Sequence, residues 1–321
     1  MIDSPNGSPL SHLRSILNRL LQLIPVLIGI SVISFLLLRL APGDPVRLLV
    51  GDRASPETIA AVRQQYGLDL PLPLQFLRYV SNVLQGDLGL SLRFQRPVAE
   101  LIGQFMGPTL FLAAYVVVLT VPPTLLLAVA AAKRPGGFID QLIRFLGIMG
   151  LAIPVFWLGI MMARFFGAEL GWFPVSGYGQ TFTAHLHHLF LPAVSISIWL
   201  IPVLTQSLRQ ALIEKSAADF ITAARAQGAS EREIFWRHML PNAILPTFNL
   251  LGVMVALIIG STVIVETVYA VPGLGRLLIA ALMGRDYYVV QGLTLVFALV
   301  TVAITLIVDI ISTFIDPRVE L

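Results

Sequence analysis

Three closely spaced histidines are the side chains in this sequence whose spacing comes nearest to a metal site. They are His185, His187 and His188, in the stretch HLHH, and on a helix His185 and His188 would share a face. Glu169 is the one carboxylate between the two flanking apolar runs, and the sequence contains no cysteine. Histidines beside an apolar run are more often solvated at a membrane surface than bound to metal. The sequence therefore favours no metal site, and metal ligation is the alternative.

Motifs of common enzyme classes are absent from the sequence. It contains neither the phosphate-binding loop G-x-x-x-x-G-K-[ST] nor the metal-binding motif H-E-x-x-H. It also lacks the G-x-S-x-G elbow of serine hydrolases, and the absence of cysteine excludes disulfides and cysteine nucleophiles. No Lys/Arg-rich run with interleaved aromatic residues suggests a nucleic-acid partner. We therefore expect a protein that is not an enzyme, binds no cofactor within this chain and binds no nucleic acid.

Two acidic residues lie at the ends of long apolar runs. Burying an ionisable group in hydrocarbon costs several kcal/mol unless it has a partner or water. Glu266 could line a solute pathway near its outer mouth. It could instead be an interfacial acid held by Arg276 or by backbone N–H groups of the turn VPGLG, and we favour this second interpretation. Asp309 is expected to pack against neighbouring helices rather than to bind a substrate.

A polar stretch, SAADFITAARAQGASEREIFWRHMLP (Ser216–Pro241), separates two apolar runs. Ser216 and Asp219 form a pair similar to a capping box, so a helix is predicted to begin there. Its apolar face would be formed by residues spaced i, i+3, i+4 and i+7, which are Ala217, Phe220, Ile221 and Ala224. Gly228 would end this helix in a left-handed conformation. Ser230 and Glu233 predict that a second helix begins directly afterwards.

The first of these helices is rich in alanine, which suits close contact with another protein. An amphipathic helix that lies on lipid headgroups usually carries Lys and Arg on one face and Trp or Leu on the other. The helix after Ser216 is nearly neutral and narrow. These features favour docking to a partner over binding to the membrane surface.

The elements that carry these residues belong to an all-α membrane protein. Of the 321 residues, 56% are hydrophobic and only 12% are charged, and the mean hydropathy is +0.84. A soluble domain usually has roughly 25% charged residues. Six apolar runs approach the roughly 20 residues that cross a bilayer. The first lies between Arg19 and Arg39, and the others lie at Pro108–Ala132, Phe145–Ala163, Leu189–Leu208, Ala243–Val265 and Val289–Val308.

Two further runs need a separate interpretation. The first apolar run is longer than the roughly 7–15 residues of a signal-peptide core and lacks a convincing cleavage site, so we expect a retained anchor. The segment VPGLGRLLIAALMGRDYY after the fifth run has glycines and only about ten apolar residues, which predicts a re-entrant or interfacial helix.

Basic residues set the orientation of the spans. Lys and Arg are concentrated before the first run, between the second and third runs, and between the fourth and fifth runs. The positive-inside rule therefore places both termini and the polar stretch in the cytoplasm. The predicted organisation is a tail (1–15), the first span (16–40), an extracytoplasmic helical subdomain (41–106), a core of five spans (107–315) with a cytoplasmic loop at 209–241, and a tail (316–321).

The extracytoplasmic subdomain is predicted to be folded. Ser55 is a suitable N-cap, Pro56 suits the first helical position, and Gly67 would end the helix. A second helix is expected over Leu74–Leu84. The sequence leaves open whether the subdomain docks a partner or covers a gate, or only caps the bundle.

The polar stretch resembles the EAA–G–I-LP motif of ABC-transporter permeases. The match is TAARAQG (Thr222–Gly228), followed by His238 and the pair Leu240-Pro241. Thr222 stands at the Glu position and His238 at the Ile position of the motif. Further segments resemble the dipeptide/oligopeptide/nickel branch of that family, among them GDLGLSL (Gly86–Leu92), IPVFWLGI (Ile153–Ile160), ETVYAVPGLGRLLIAALMGRDYYVVQG (Glu266–Gly292) and VDIISTFIDPR (Val308–Arg318).

The resemblance implies the fold of a type I ABC importer permease in the bacterial inner membrane. It implies a second homologous permease, two ATPase subunits that bind ATP and Mg, an extracytoplasmic substrate-binding protein and surrounding membrane lipid as partners. The polar loop would be the coupling helix that docks on an ATPase. The residues implied in this coupling are Ala217, Ala218, Asp219, Phe220, Thr222, Ala223, Ala224, Arg225, Gly228, Leu240 and Pro241.

The same resemblance implies a peptide-like substrate, from dipeptides to oligopeptides. A nickel or other metal chelate, glutathione and opines are alternatives within the branch. A secondary transporter driven by an ion gradient is the alternative of another class, and it predicts inverted repeats and ionisable residues at the membrane midplane. A membrane-embedded enzyme would need clustered His, Asp or Ser at one depth, which the spans lack.

Overall fold

The computed structural model of the protein describes residues 21, 24–36, 46, 54–65 and 68–315. The described helices are α1 (Ile24–Leu36), α2 (Pro56–Gln65), α3 (Leu72–Leu84), α4 (Val98–Ala132), α5 (Phe138–Ala152), α6 (Val155–Met162), α7 (Phe182–Ser216), α8 (Asp219–Ala226), α9 (Leu240–Val268), α10 (Leu274–Met283) and α11 (Tyr287–Ile315). Wider π-helical turns extend α6 over Ala163–Glu169 and precede α9 over Ile234–Met239.

Four of the described helices are long and apolar enough to cross a membrane: Val98–Ala132, Phe182–Ser216, Glu231–Val268 and Tyr287–Ser312. They confirm the second, fourth, fifth and sixth predicted spans. The second span begins at Val98, within the range 41–106 that the sequence assigned to the outer subdomain. Of the first span, the structure describes Ile24–Leu36. Both predicted tails lie outside the described residues.

The third predicted span is not straight. Its helix breaks into α5 and α6, which are bent by 94° at Ile153 and Pro154. The proline disfavours a helical conformation of the residue before it, and Ile153 has an extended backbone, with φ −87° and ψ 123°. The expectation of one uninterrupted span over Phe145–Ala163 is therefore wrong. With the bent pair counted as one span, five are described.

Helix α7 is the centre of the bundle. It packs along α4 and also contacts α5, α6 and α9. The main apolar core contains Leu112, Leu200, Ile258 and Tyr269, all fully or almost fully buried. Small residues bring the broken pair close to this helix, since a Cβ on Gly147 would lie 3.1 Å from Pro202 of α7. The bent pair therefore runs against α7 in spite of its break.

Helix α2 begins as the sequence predicts. The Ser55 hydroxyl accepts a hydrogen bond from the Thr58 N–H at 3.2 Å, which caps α2. Helix α3 begins at Leu72, two residues before the predicted start. The loop that follows it, 86–97, is anchored on the core by Asp286, a buried acid just before α11. Its carboxylate accepts hydrogen bonds from the Ser91 hydroxyl at 2.5 Å and the Arg93 N–H at 3.1 Å.

A buried ion pair closes the opposite end of the bundle, where α4 and α7 end and α9 begins. We call it the basic end, because Lys133, Arg134 and Lys215 flank the helices there. The Arg209 guanidinium of α7 donates to both oxygens of Asp140 in α5, at 2.5 and 2.7 Å. The Gly136 N–H donates to the same carboxylate at 2.8 Å. The pair thereby fixes the 133–137 turn and α5 against α7.

Asp140→Asn should destabilise the protein by about 2 kcal/mol, because it leaves the Arg209 charge with a neutral partner. The cost is smaller than for a pair at the centre of a large core, since Arg209 lies near the end of the bundle. Thermal unfolding in detergent measures the loss.

The matched control is Glu169→Gln, which removes the acid of an exposed pair with Arg164 at 2.9 Å. Exposed pairs contribute about 1 kcal/mol or less. An equal shift in unfolding temperature for both variants would contradict the role given to Asp140.

Candidate functional site

The polar loop forms a short helix, a corner and a second helical segment, as the sequence predicts. Its first helix, α8, begins later than expected. Ser216 is the last residue of α7, and its hydroxyl donates to the Ile213 carbonyl at 2.7 Å instead of capping α8. Ala218 occupies the N-cap position without a side-chain hydrogen bond, and Asp219 lies in the first turn, where the helix dipole favours an acid.

Gly228 makes the corner after α8. Its φ of +84° lies in the left-handed region that favours glycine. The Gly228 N–H donates to the Arg225 carbonyl at 3.1 Å, and the Ala229 N–H donates to the Ala224 carbonyl at 3.1 Å. These two bonds form a Schellman motif. The predicted end of the helix is thereby confirmed.

The segment after the corner is capped by Ser230. Its hydroxyl accepts the Glu233 N–H at 3.3 Å, which confirms the predicted second start. From there one helical element continues without interruption from Glu231 to Val268. The second segment of the loop is therefore the first part of a membrane-spanning helix.

Two side chains of α8 attach it to this long helix. Ile221 is fully buried and Ala224 is nearly so, and both pack against Ile234. Phe220, expected on the same face, is 41% exposed, and Ala217 precedes the helix. The expectation that Ala217 belongs to this helix face is therefore wrong, because the helix begins only at Asp219, whereas Phe220 lies within α8 and is exposed.

An ion pair crosses the outside of the corner. The Arg225 guanidinium donates to both oxygens of Glu231, at 2.6 and 3.1 Å. Neither the pairing of Arg225 with Glu231 nor the contact between Ile221 and Ile234 was predicted from the sequence. The sequence does contain a signal for this pairing. Glu231 carries the charge opposite to that of Arg225 and lies six residues after it, beyond the corner at Gly228.

The residues of the implied coupling set occupy two different environments. Ala224 and Leu240 are buried, and Leu240 packs against Ala211 and Leu212 of α7. The others are exposed or partly exposed: Ala217, Ala218, Asp219, Phe220, Thr222, Ala223, Arg225, Gly228 and Pro241. The exposed face of α8 is therefore small, with Phe220 as its one large apolar side chain.

At the opposite end of the bundle, the fully buried Glu266 caps α10. Its carboxylate accepts the N–H groups of Gly275 at 2.8 Å and Arg276 at 3.2 Å. Thr109 of α4 donates its hydroxyl to Glu266 at 2.7 Å and accepts the Leu274 N–H at 2.8 Å. Together the two side chains satisfy the first three N–H groups of α10, which a helix leaves without partners.

This arrangement corresponds to the favoured interpretation of Glu266, with backbone N–H groups as its partners. The Arg276 side chain does not contribute, since it donates to the Ala270 carbonyl at 2.9 Å. A part for Glu266 in lining a pathway stays a prediction. Asp309 is partly buried in α11, and its preference for packing over substrate binding also stays a prediction.

The three histidines are bound to the loop that precedes their helix. A ring nitrogen of each lies 2.8–3.0 Å from a backbone carbonyl: His185 with Tyr178, His187 with Trp172, and His188 with Ser176. These three hydrogen bonds hold the 172–178 loop against α7. Within the described residues no group of three His, Cys, Asp or Glu side chains could hold a metal ion.

Gly275→Ala should displace α10 and destabilise the protein by at least about 1–3 kcal/mol, as overpacking does. A Cβ on Gly275 would lie 2.3 Å from the Val263 Cα of α9, which is backbone and cannot rotate away. Thermal unfolding measures the loss. Gly103→Ala in α4 is the control, because a Cβ there meets nothing within 4 Å. Equal stability of the two variants would contradict the close packing of α10 on α9.

Comparison with solved structures shows the fold. The chain of a methionine ABC transporter, MetNI, in an inward-facing conformation superimposes with a TM-score of 0.52 and 19% identity, covering 67% of this chain and 96% of that chain. The architecture is that of type I ABC importer permeases.

Comparison with curated proteins gives relatives over almost the whole length. A chain of Sinorhizobium fredii named "Probable peptide ABC transporter permease protein" is 37% identical over 308 residues, which cover 95% of this chain and 98% of the relative. A glutathione transport system permease protein of Salmonella paratyphi A is 37% identical, covering 96% and 99%. An oligopeptide transport system permease protein of Bacillus subtilis is 36% identical, covering 95% and 98%.

Two family models match the chain. Residues 12–99 match the N-terminal part of the binding-protein-dependent transport system membrane component, and residues 124–321 match the inner membrane component itself. The second match alone covers more than half of the chain. The protein belongs to the family of binding-protein-dependent transport system inner membrane components, the permease subunits of ABC transporters.

Proposed function

We propose that this chain is one of two permeases of an ATP-driven importer for peptides, and that α8 is the helix through which an ATPase moves it. The second permease is homologous, and together the two line the translocation path. A binding protein outside the membrane delivers the substrate. Two ATPase subunits bind ATP and Mg and hydrolyse ATP, because this chain contains no phosphate-binding loop.

The attachment of α8 to the helical element Glu231–Val268 is the observation that carries the proposal. Helix α8 is held by the Schellman corner, by the Arg225–Glu231 pair and by Ile221 and Ala224 on Ile234. Ile234 belongs to the helical element Glu231–Val268, so a push on α8 is transmitted directly to a membrane-spanning helix. A helix attached only by a loose loop could not transmit force in this way.

The far end of the same element completes the connection. Glu266 lies in the last turn of α9 and holds the first turn of α10 through backbone N–H groups. A displacement of α8 is thereby carried from the basic end of the bundle to α10 at the other end. Alternating access by such rigid movement of helices is the mechanism that we propose.

The orientation follows from the charge distribution. Lys133, Arg134, Arg209 and Lys215 lie at the basic end, together with α8. The positive-inside rule places this end in the cytoplasm, where ATP is available, and with it both termini. The opposite end, with the histidine-bound 172–178 loop and the outer subdomain, would receive the binding protein.

Peptides are the substrate class that the relatives support best. The three relatives described above are named for transport of peptides, oligopeptides and glutathione. A metal chelate or an opine would be carried by the same architecture with a different binding protein. Uptake of labelled dipeptide and oligopeptide, measured with the complete transporter and its binding protein in proteoliposomes, tests the class.

Gly228→Val should abolish transport and transport-coupled ATP hydrolysis. A β-branched residue in the left-handed region costs about 1–2 kcal/mol or more and would open the corner. Nothing lies within 4 Å of a Cβ at this position, so the effect comes from the backbone and not from a steric clash. Membrane insertion should be unchanged. The measurement is peptide uptake and stimulated ATPase activity in proteoliposomes.

The matched control is Gly228→Asn, because asparagine tolerates the left-handed conformation. It should retain most of the transport rate. Wild-type transport by Gly228→Val would contradict the coupling role of the corner. Uptake that continues without ATP but stops when the proton gradient is collapsed would instead support an ion-driven transporter.

A further inference from the structure

A groove at the basic end of the bundle is lined mainly by apolar side chains, whereas the exposed face of α8 has only one large apolar side chain, Phe220. The groove has a volume of about 370 Å³ and lies between the last turns of α4 and α7 and the π-helical segment Ile234–Met239. Its apolar lining consists of Val129, Ala132, Leu212, Phe235 and Met239. Trp236 also lines it and is 57% exposed. The groove is therefore lined mostly by apolar side chains, with Trp236 partly in solvent.

Two cations stand at the edge of the groove. Lys133 follows α4, and Arg232 precedes the π-helical segment. Arg232 and Trp236 also border an adjoining open depression lined by Ser230, Glu233 and Arg237. An apolar groove thus passes directly into a polar, basic surface, with Trp236 at the boundary.

The acids near this surface are paired with other cations. In the described part of the chain, Glu214 lies 3.4 Å from Lys215, Glu231 lies 2.6 Å from Arg225, and Glu233 lies 3.4 Å from Arg237. Lys133 and Arg232 form no ion pair within the described residues. Their charges are therefore available to an external anion.

We propose that this groove binds an anionic phospholipid of the inner leaflet. The acyl chain would lie in the apolar groove, and the phosphate would lie between Lys133 and Arg232. Basic pockets between membrane helices on the cytoplasmic side suit anionic headgroups, and tryptophan favours the level of the headgroups. The cytoplasmic placement rests on the orientation proposed above.

The cations beside an apolar lining favour a lipid with an anionic headgroup as the occupant of the groove. The groove adjoins Ala132, where α4 and its apolar run end, and the last turn of α7 before Ser216. The α8 contact is made by Ile234, whereas Phe235 and Trp236 line the groove. The lipid site and the docking face of α8 therefore use different side chains of the same loop.

Quenching of Trp236 fluorescence by brominated lipids tests the proposal. The complete transporter is reconstituted in phosphatidylcholine vesicles that contain an equal fraction of brominated phosphatidylglycerol or brominated phosphatidylcholine. The difference between wild type and Trp236→Phe isolates the emission of this residue from that of the other tryptophans. Brominated phosphatidylglycerol should quench it at a much lower mole fraction than brominated phosphatidylcholine.

The double variant Lys133→Gln/Arg232→Gln should remove this preference. Each cation near a membrane surface contributes about fivefold to the binding of an anionic lipid, so the double variant should lose about 25-fold. The matched control is Arg134→Gln, which removes an exposed neighbouring charge that does not line the groove and should retain the preference.

Three results would overturn the proposal. Equal quenching by the two brominated lipids would show that the groove has no preference for an anionic headgroup. No quenching by either would show that protein, such as an ATPase subunit, covers the groove. Loss of the preference in Arg134→Gln would show a general surface charge in place of a site. None of these results bears on peptide transport, which is measured separately.

Discussion

A buried polar group in a membrane protein must find its partner inside the protein, because hydrocarbon offers none. The strongest instance in this structure is the Glu266 carboxylate. With Thr109 it satisfies the free N–H groups at the start of α10, and it thereby joins helices α4, α9 and α10. The arrangement requires backbone to approach backbone, which Gly275 permits. A single acid at the end of a span thus sets the position of a helix too short to cross the membrane.

The same constraint explains the other buried acids. The Asp286 carboxylate accepts hydrogen bonds from the Ser91 hydroxyl and the Arg93 N–H, so loop 86–97 is held to the core. Asp140 receives Arg209 and the Gly136 N–H, so the loop at the basic end is held to α7. In each case the acid fixes a connection between helices, where the apolar surface of the helices alone would leave the loop free. Loop 86–97 and the 133–137 turn at the basic end therefore have defined conformations.

The sequence predicted those features that depend on local chemistry. Apolar run length located the described spans, and Gly228 and Ser230 marked a corner and a cap, because each follows from one residue and its neighbours. The break at Pro154 escaped the prediction, since an apolar run continues through it and only the proline interrupts the helix. The spacing of Ser216 and Asp219 predicted a cap for α8, but Ser216 is the last residue of α7 and its hydroxyl donates to the Ile213 carbonyl. The carbonyl partners of the histidines and the hydrogen bond from Thr109 to Glu266 arise from tertiary contacts, which sequence spacing does not encode.

The candidate coupling motif contains both buried and exposed residues, which the sequence alone does not distinguish. Ala224 and Leu240 are buried and attach the loop to its own bundle, whereas Asp219, Phe220, Thr222 and Ala223 face outward. Thr222 stands where the motif of this family has Glu, and its side chain is exposed. A contact of Thr222 with a partner would therefore leave the attachment of α8 to the bundle unchanged. In the function proposed above, force transmission would depend on the buried positions and on the corner, and partner recognition would depend on the exposed ones. A substitution on the exposed face of α8 would change the surface offered to a partner, while Ile221 and Ile234 would still connect α8 to the long helix. The two roles could therefore change independently of each other.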